Sequence, residues 1–140
     1  MTKFYTLRGT FVPGTQKRLI LDDGNFNNGF IVRKFVVAGD PRDSTDEAYA
    51  TLMLDKDADK VWNWGDNRQI AWAAAHNRAT NSVDTPFILV DMDTVVVADM
   101  YIGGESNSPY INYYVQLERI ELTDNQAVMT LIKERSQDDL

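Results

Sequence analysis

The run YINYYVQLERIEL, residues 110–122, constrains this chain more than any other stretch. From Tyr113 onward, one row of alternate residues holds Tyr113, Val115, Leu117, Arg119 and Glu121. The other holds Tyr114, Gln116, Glu118, Ile120 and Leu122. Both rows mix apolar with polar groups, and the run is rich in aromatic and β-branched side chains. That pattern fits a long strand partly covered on both faces. The turn residues TDNQ follow, and AVMTLIKE alternates again, so a C-terminal hairpin is expected.

The rest of the chain repeats the theme. FILV, a turn at Asp91–Thr94 and Val95–Ile102 read as a second hairpin. KFYTLRGTFV, RLILDDG and FIVRKFVVAG are three β runs punctuated by Gly, Asn and Pro, the signature of a meander. EAYATLMLD alternates Ala48, Ala50, Leu52 and Leu54 against Tyr49, Thr51 and Met53, as a strand does. DNRQIAWAAAHNR is two-sided. Asp66 and Gln69 stand at capping-box spacing ahead of helix-favouring alanines. Ile70, Trp72 and Ala74 nonetheless alternate with Gln69, Ala71 and Ala73 among β neighbours. Strand is favoured and helix stays open. The expected fold is all-β: one antiparallel β-sandwich, jelly-roll-like, of about eight strands, with residues 1–140 forming a single domain.

Composition narrows function by exclusion. A chain of 140 residues, 44% hydrophobic and 25% charged, has the make-up of a globular domain. It has no cysteine, so disulfides, thiolate metal sites and cysteine nucleophiles are excluded. The start MTKFYTLRGT lacks the apolar core of a secretory signal, and no stretch approaches a membrane span. A net charge of −7 argues against a free nucleic-acid binder. The charge is also uneven: residues 1–42 balance to +4 and residues 43–140 to −11. Two solvated faces would explain this, and so would a basic end of one copy meeting an acidic flank of the next.

One segment gathers most of the side chains able to carry chemistry: DKDADKVWNWGDNRQIAWAAAH, residues 55–76. Asp55, Asp57, Asp59, Asn63 and Asp66 fall at positions 1, 3, 5, 9 and 12 of an EF-hand-type calcium loop. Position 6, however, is Lys60 instead of glycine, position 12 is the short Asp, and the flanks are strand-like. A solvated acidic loop is the favoured reading. Trp62 and Trp64 share one face of an extended segment, as core, as interface anchors or as a sugar-stacking platform. His76 is the sole histidine and stands outside any HxH, HxxxH or GxSxG pattern, so it reads as structural. Asp22–Asp23 and Asp91/Asp93 read as turn residues, and Gly103–Gly104 and GNFNNG lack the context of a phosphate cradle. No enzyme signature, catalytic residue or cofactor is expected.

RLILDDGNFNNGFIVRKFVV and VWNWGDNRQIAWA, followed by VDMDTVVVADMYIGG and the C-terminal LIKER strand, resemble small uncharacterised virion proteins of marine bacteriophages. The resemblance implies a non-enzymatic structural protein, capsid-associated as a decoration, cement or minor capsid protein, or else a neck or tail component. It would be assembled in the host cytoplasm into the virion, with copies of itself and other virion proteins as partners and no membrane. A calcium- or glycan-binding β-sandwich module is the alternative. The polar tail SQDDL has no apolar reason to order alone, so a neighbouring copy is expected to hold it. Trp62, Trp64, Tyr110, Tyr113 and Tyr114 are the expected anchors between copies, because aromatic residues dominate interface hot spots.

Overall fold

The computed structural model describes residues 3–21, 28–40, 47–76, 86–97 and 99–122. Eight strands run through them: β1 (Lys3–Phe11), β2 (Gln16–Leu19), β3 (Asn28–Asp40), β4 (Glu47–Met53), β5 (Gln69–His76), β6 (Phe87–Val90), β7 (Met100–Ser106) and β8 (Tyr110–Glu121). There is no helix among the described residues. Two antiparallel sheets form, one ordered β1-β8-β3 and the other β2-β7-β4-β5-β6.

The pairing is that of one long hairpin rolled into a sandwich. β1 pairs with β8, β2 with β7 and β4 with β5. β3 meets the segment after β6 through a bridge in which Phe30 and Val96 exchange N–H···O bonds of 2.8 Å. The result is a β-sandwich with jelly-roll-like nesting. It corrects two expectations. β6 and β7 do not pair as a hairpin: β6 borders β5, and β7 lies between β2 and β4. β1, β2 and β3 are not a meander either, since β8 separates β1 from β3 and β2 belongs to the other sheet. Adjacent runs can look like hairpins because alternation marks a strand without marking its partner. The segment 69–76 is strand, as favoured. The expected return strand 127–134, Asp22–Asp23, the 24–27 portion of GNFNNG and the tail SQDDL lie outside the described residues.

β8 is the expected long strand, but its first half is covered on one face only. Ile111, Tyr113, Val115 and Leu117 are buried against the opposite sheet, while Asn112 and Tyr114 face outward. Its partner β3 does not keep one parity. Val32 and Phe35 are both buried, three residues apart, because a bulge between Val32 and Lys34 inserts one residue into the ladder. Arg33 and Lys34 are thereby turned to solvent. A register shift at Leu52/Met53 lets Ile70 and Ala71 join Ala73 in the core. The second sheet contributes mainly Ala48, Ala50, Leu52, Met100 and Ile102. Small residues there sit in one cluster with Phe30 and Phe35 of the first sheet, which pairs large with small across the interface.

Gly103–Gly104 takes its meaning from β7. A Cβ on Gly104 would lie 2.1 Å from the Tyr49 carbonyl oxygen and 2.8 Å from the Ala50 Cα, both backbone atoms of β4. The neighbouring strand cannot yield without losing its ladder. Gly104→Ala is expected to cost about 1–3 kcal/mol through overpacking, read as a lower urea midpoint with an unchanged slope.

Candidate functional site

The segment between β4 and β5 is a compact loop folded onto the outer face of the five-stranded sheet. The bond from Leu54 N–H to the Arg68 carbonyl (2.7 Å) closes its neck, as in an Ω-loop. Its aspartates make turns. Asp55 Oδ1 accepts from the Asp57 N–H (2.7 Å) and Asp59 Oδ1 from the Val61 N–H (3.0 Å). Asn63 Oδ1 accepts from the Gly65 N–H (3.1 Å), and Asp66 Oδ1 from the Arg68 N–H (3.0 Å). Each is an Asx turn reaching two residues ahead. Four of the five proposed calcium positions, Asp55, Asp59, Asn63 and Asp66, are thus used by the loop's own backbone. Among the described residues, no group of three or more His, Cys, Asp or Glu is arranged to hold a metal ion.

The loop is fastened by one buried side chain, Gln69. Its Nε2 donates to the carbonyls of Asp59 (2.6 Å) and Val61 (2.8 Å), and its Oε1 accepts from the Asn63 N–H (2.9 Å) and Trp72 Nε1 (2.8 Å). Both donors and both acceptor positions of the amide are used. Under this clasp lie Thr51, Met53, Ala58 and Trp72, all buried, as a satellite core outside the sandwich. Asp66 adds an ionic lock. Its Oδ1 accepts from Arg68 Nε at 2.9 Å, and its Oδ2 accepts from Arg68 Nη2 at 3.0 Å and from the Asp59 N–H at 3.1 Å.

The nominated aromatics separate. Trp62 turns inward: Nε1 donates to the Ala50 carbonyl (3.1 Å), and the ring packs on Tyr49 and Phe87 at centroid distances of 6.2 and 5.1 Å. Trp64 is 63% exposed and rests edge-on against Trp72. Tyr113 is 7% exposed, lies over Gly9 and tilts against Phe11, so its area already serves the core of the single chain. Tyr110 and Tyr114 are exposed on β8, with Lys34 Nζ 5.9 Å from the Tyr114 ring centre. Trp64 and Tyr114 therefore lie on opposite outer faces of the sandwich and cannot form one patch.

Two side chains of the basic first third are paired within the chain, Arg18 with Asp99 and Arg33 with Glu118 at 2.8 Å. These charges have local partners as well as any between copies. Asp91 Oδ1 accepts from the Asp93 N–H (3.0 Å), the turn role expected of that pair. His76 faces Glu47 across β4 and β5, with Nε2 3.4 Å from Oε1.

Sequence reasoning placed a strand at Phe87–Val90 but missed that it is an exposed sheet edge. Phe87, Ile88 and Leu89 are each 41–42% exposed, and β6 is an edge strand with β5 as its one ladder partner among the described residues. The available signal was four apolar residues without a charge, read as one arm of a hairpin. No family model, curated protein or solved structure matches this chain.

Two outcomes test this construction. Gln69→Leu leaves two carbonyls, an amide N–H and an indole N–H without their buried partner, so a loss of about 3 kcal/mol is expected by denaturant titration. The second concerns acid. Hydrogen bonding to the Arg68 side chain, followed by the backbone N–H groups of Arg68 and Asp59, holds the Asp66 carboxyl below the usual carboxylate range. Its contribution is present above the unfolded-chain value of about 4 and lost as pH falls through the lower folded value. Arg68→Met removes the largest cause, so tryptophan emission in an acid titration is expected to change at a higher pH than in the parent chain.

Proposed function

We propose that this protein is a non-enzymatic structural component of a phage virion, capsid-associated, that works through contacts with copies of itself and with other virion proteins. Jelly rolls serve capsids, lectins and cupins alike, so the surface must distinguish among these uses. The observation that carries the reading is the β6 edge. Native proteins usually blunt an exposed edge with lysine, proline or a bulge. Here Pro86 precedes the strand and Asp91 follows it, but Phe87–Val90 itself carries no charge and exposes three large apolar residues in succession. Such an edge is suited to strand addition by a neighbouring subunit. Trp64 stands exposed on the outer face of the same sheet and extends the apolar surface. The polar groups of the 55–68 loop, by contrast, are largely spent on holding the loop together, which supports a scaffold more than a catalyst.

Mass spectrometry of purified particles from the source tests the reading directly; absence of the chain from virions overturns it. At the level of residues, Leu89→Lys and Trp64→Ala are expected to keep the melting temperature of the isolated chain. Trp64→Ala is expected to weaken particle association by about 2 kcal/mol, the scale of an interface hot spot. If either variant unfolds as a monomer, that residue belongs to the fold and not to the contact.

A further inference from the structure

The open side of β6 presents a defined set of backbone groups. The Asp91 N–H donates to the Ile70 carbonyl (2.8 Å), in the same register that sets Leu89 opposite Trp72 and Phe87 opposite Ala74. Antiparallel ladders alternate bonded with non-bonded pairs, so Phe87 and Leu89 direct their N–H and C=O groups to β5. Those of Ile88 and Val90 point off the sheet, where no strand stands among the described residues. The side chains of Ile88 and Leu89, on opposite faces of the strand, are 41% and 42% exposed. The other described edges are guarded by charge. β1 carries Lys3 and Arg8, β2 carries Lys17 and Arg18, and β3 has its bulge with Arg33 and Lys34.

We propose that β6 pairs antiparallel with β6 of a second copy, about a two-fold axis at Leu89; this rests on the reading of β6 as an assembly edge. The outward groups fix the register. Only Ile88 and Val90 offer them, so a two-fold axis that uses them passes through Ile88, Leu89 or Val90. With the axis at Ile88, Val90 faces Pro86, which has no N–H to give to the Val90 carbonyl. With the axis at Val90, Ile88 faces Met92, which lies in the turn beyond the strand. With the axis at Leu89, Ile88 and Val90 exchange both bonds, and symmetry repeats the exchange. Leu89 then packs on its own symmetry mate and Ile88 on Val90, covering apolar area that the single chain exposes. Leu89 is backed on β5 by Trp72, against which Trp64 rests. Self-pairing also suits a chain of net charge −7, because β6 brings no charged side chain against its like.

Sedimentation equilibrium of the full chain, from micromolar to millimolar concentration, tests the pairing, and a reversible dimer is expected. Ile88→Pro removes an N–H that faces off the sheet, a position at which edge strands accept proline. It is expected to weaken the dimer about tenfold or more, since one bond is lost from each copy. Its melting temperature is expected to match that of the parent at a dilution where both are monomeric. Cysteines read the register, because the chain has none of its own. Leu89→Cys sets two thiols in a non-bonded pair with Cα atoms about 4.5 Å apart, within disulfide reach. Phe87→Cys shares that face but stands about 13 Å from its mate along the strands. Disulfide formation on mild oxidation is expected to be at least about tenfold slower for Phe87→Cys than for Leu89→Cys. A monomeric parent overturns the proposal. A lowered melting temperature of Ile88→Pro would then assign the edge to another segment of the same chain, and an unchanged one to a different protein. A dimer in which the two cysteine variants cross-link equally fast overturns it as well. A dimer absent from virions sinks the virion reading alone, and a monomer present in virions sinks this pairing alone.

Discussion

A single primary amide decides how the outer face of the larger sheet is built. Gln69 opens β5, is buried, and uses both its donors and both acceptor positions on the 55–68 loop and Trp72. An amide half satisfied at this depth would cost more than an apolar side chain, so the network is all or nothing. Once it forms, the loop carbonyls at Asp59 and Val61 have fixed positions, Trp62 is delivered over Tyr49 and Phe87, and Trp64 over Trp72. The aromatic architecture of this face thus descends from a polar contact. The tryptophans supply area, and the glutamine supplies geometry.

The strands were legible in the sequence because a pleated backbone forces alternation, and alternation survives in the order of residues. β8 and β4 show it, whereas the β5 segment left helix open. Their partners were not legible. Lys3 opposes Arg119, and Gln16 opposes Gly103, and nothing local in either segment encodes the other. Bulges hid part of the core as well. The inserted residue near Arg33 reverses the inside–outside order halfway along β3, so no single parity describes that strand. In the 55–66 comb, spacing was genuinely ambiguous. An EF-hand loop and a series of Asx turns both exploit short side chains that reach two residues ahead. Lysine in place of glycine at position 60 was the residue that separated them.

The surface was the least legible part. Tyr113 and Tyr114 are adjacent in sequence, yet one covers Gly9 inside the sandwich and the other faces water beside Lys34. Only the face each takes in β8 decides between these fates. FILV was read as one arm of a hairpin, and is an exposed edge because, among the described residues, β5 has β4 on one side and β6 stands last in the sheet order on the other. Exposure of apolar groups is a property of topology here, more than of composition.

The rolled-hairpin topology also governs the order in which the molecule can form. β4 and β5 are joined by the clasped loop, so their pairing closes a short stretch of chain. β7 must then return to β4, β2 must find β7, and β1 meets β8 across nearly the whole described chain. Each outer pair closes a longer loop than the one within it. Loop-closure entropy rises only logarithmically with length, but distant pairings still slow folding. The inexpensive route therefore runs from the centre outward, with the Gln69 clasp in its first closure and β1 last to join. While β1 is still free, the edge of β8 that it will cover is open to another chain, so slow closure and strand exchange between copies are two outcomes of the same topology.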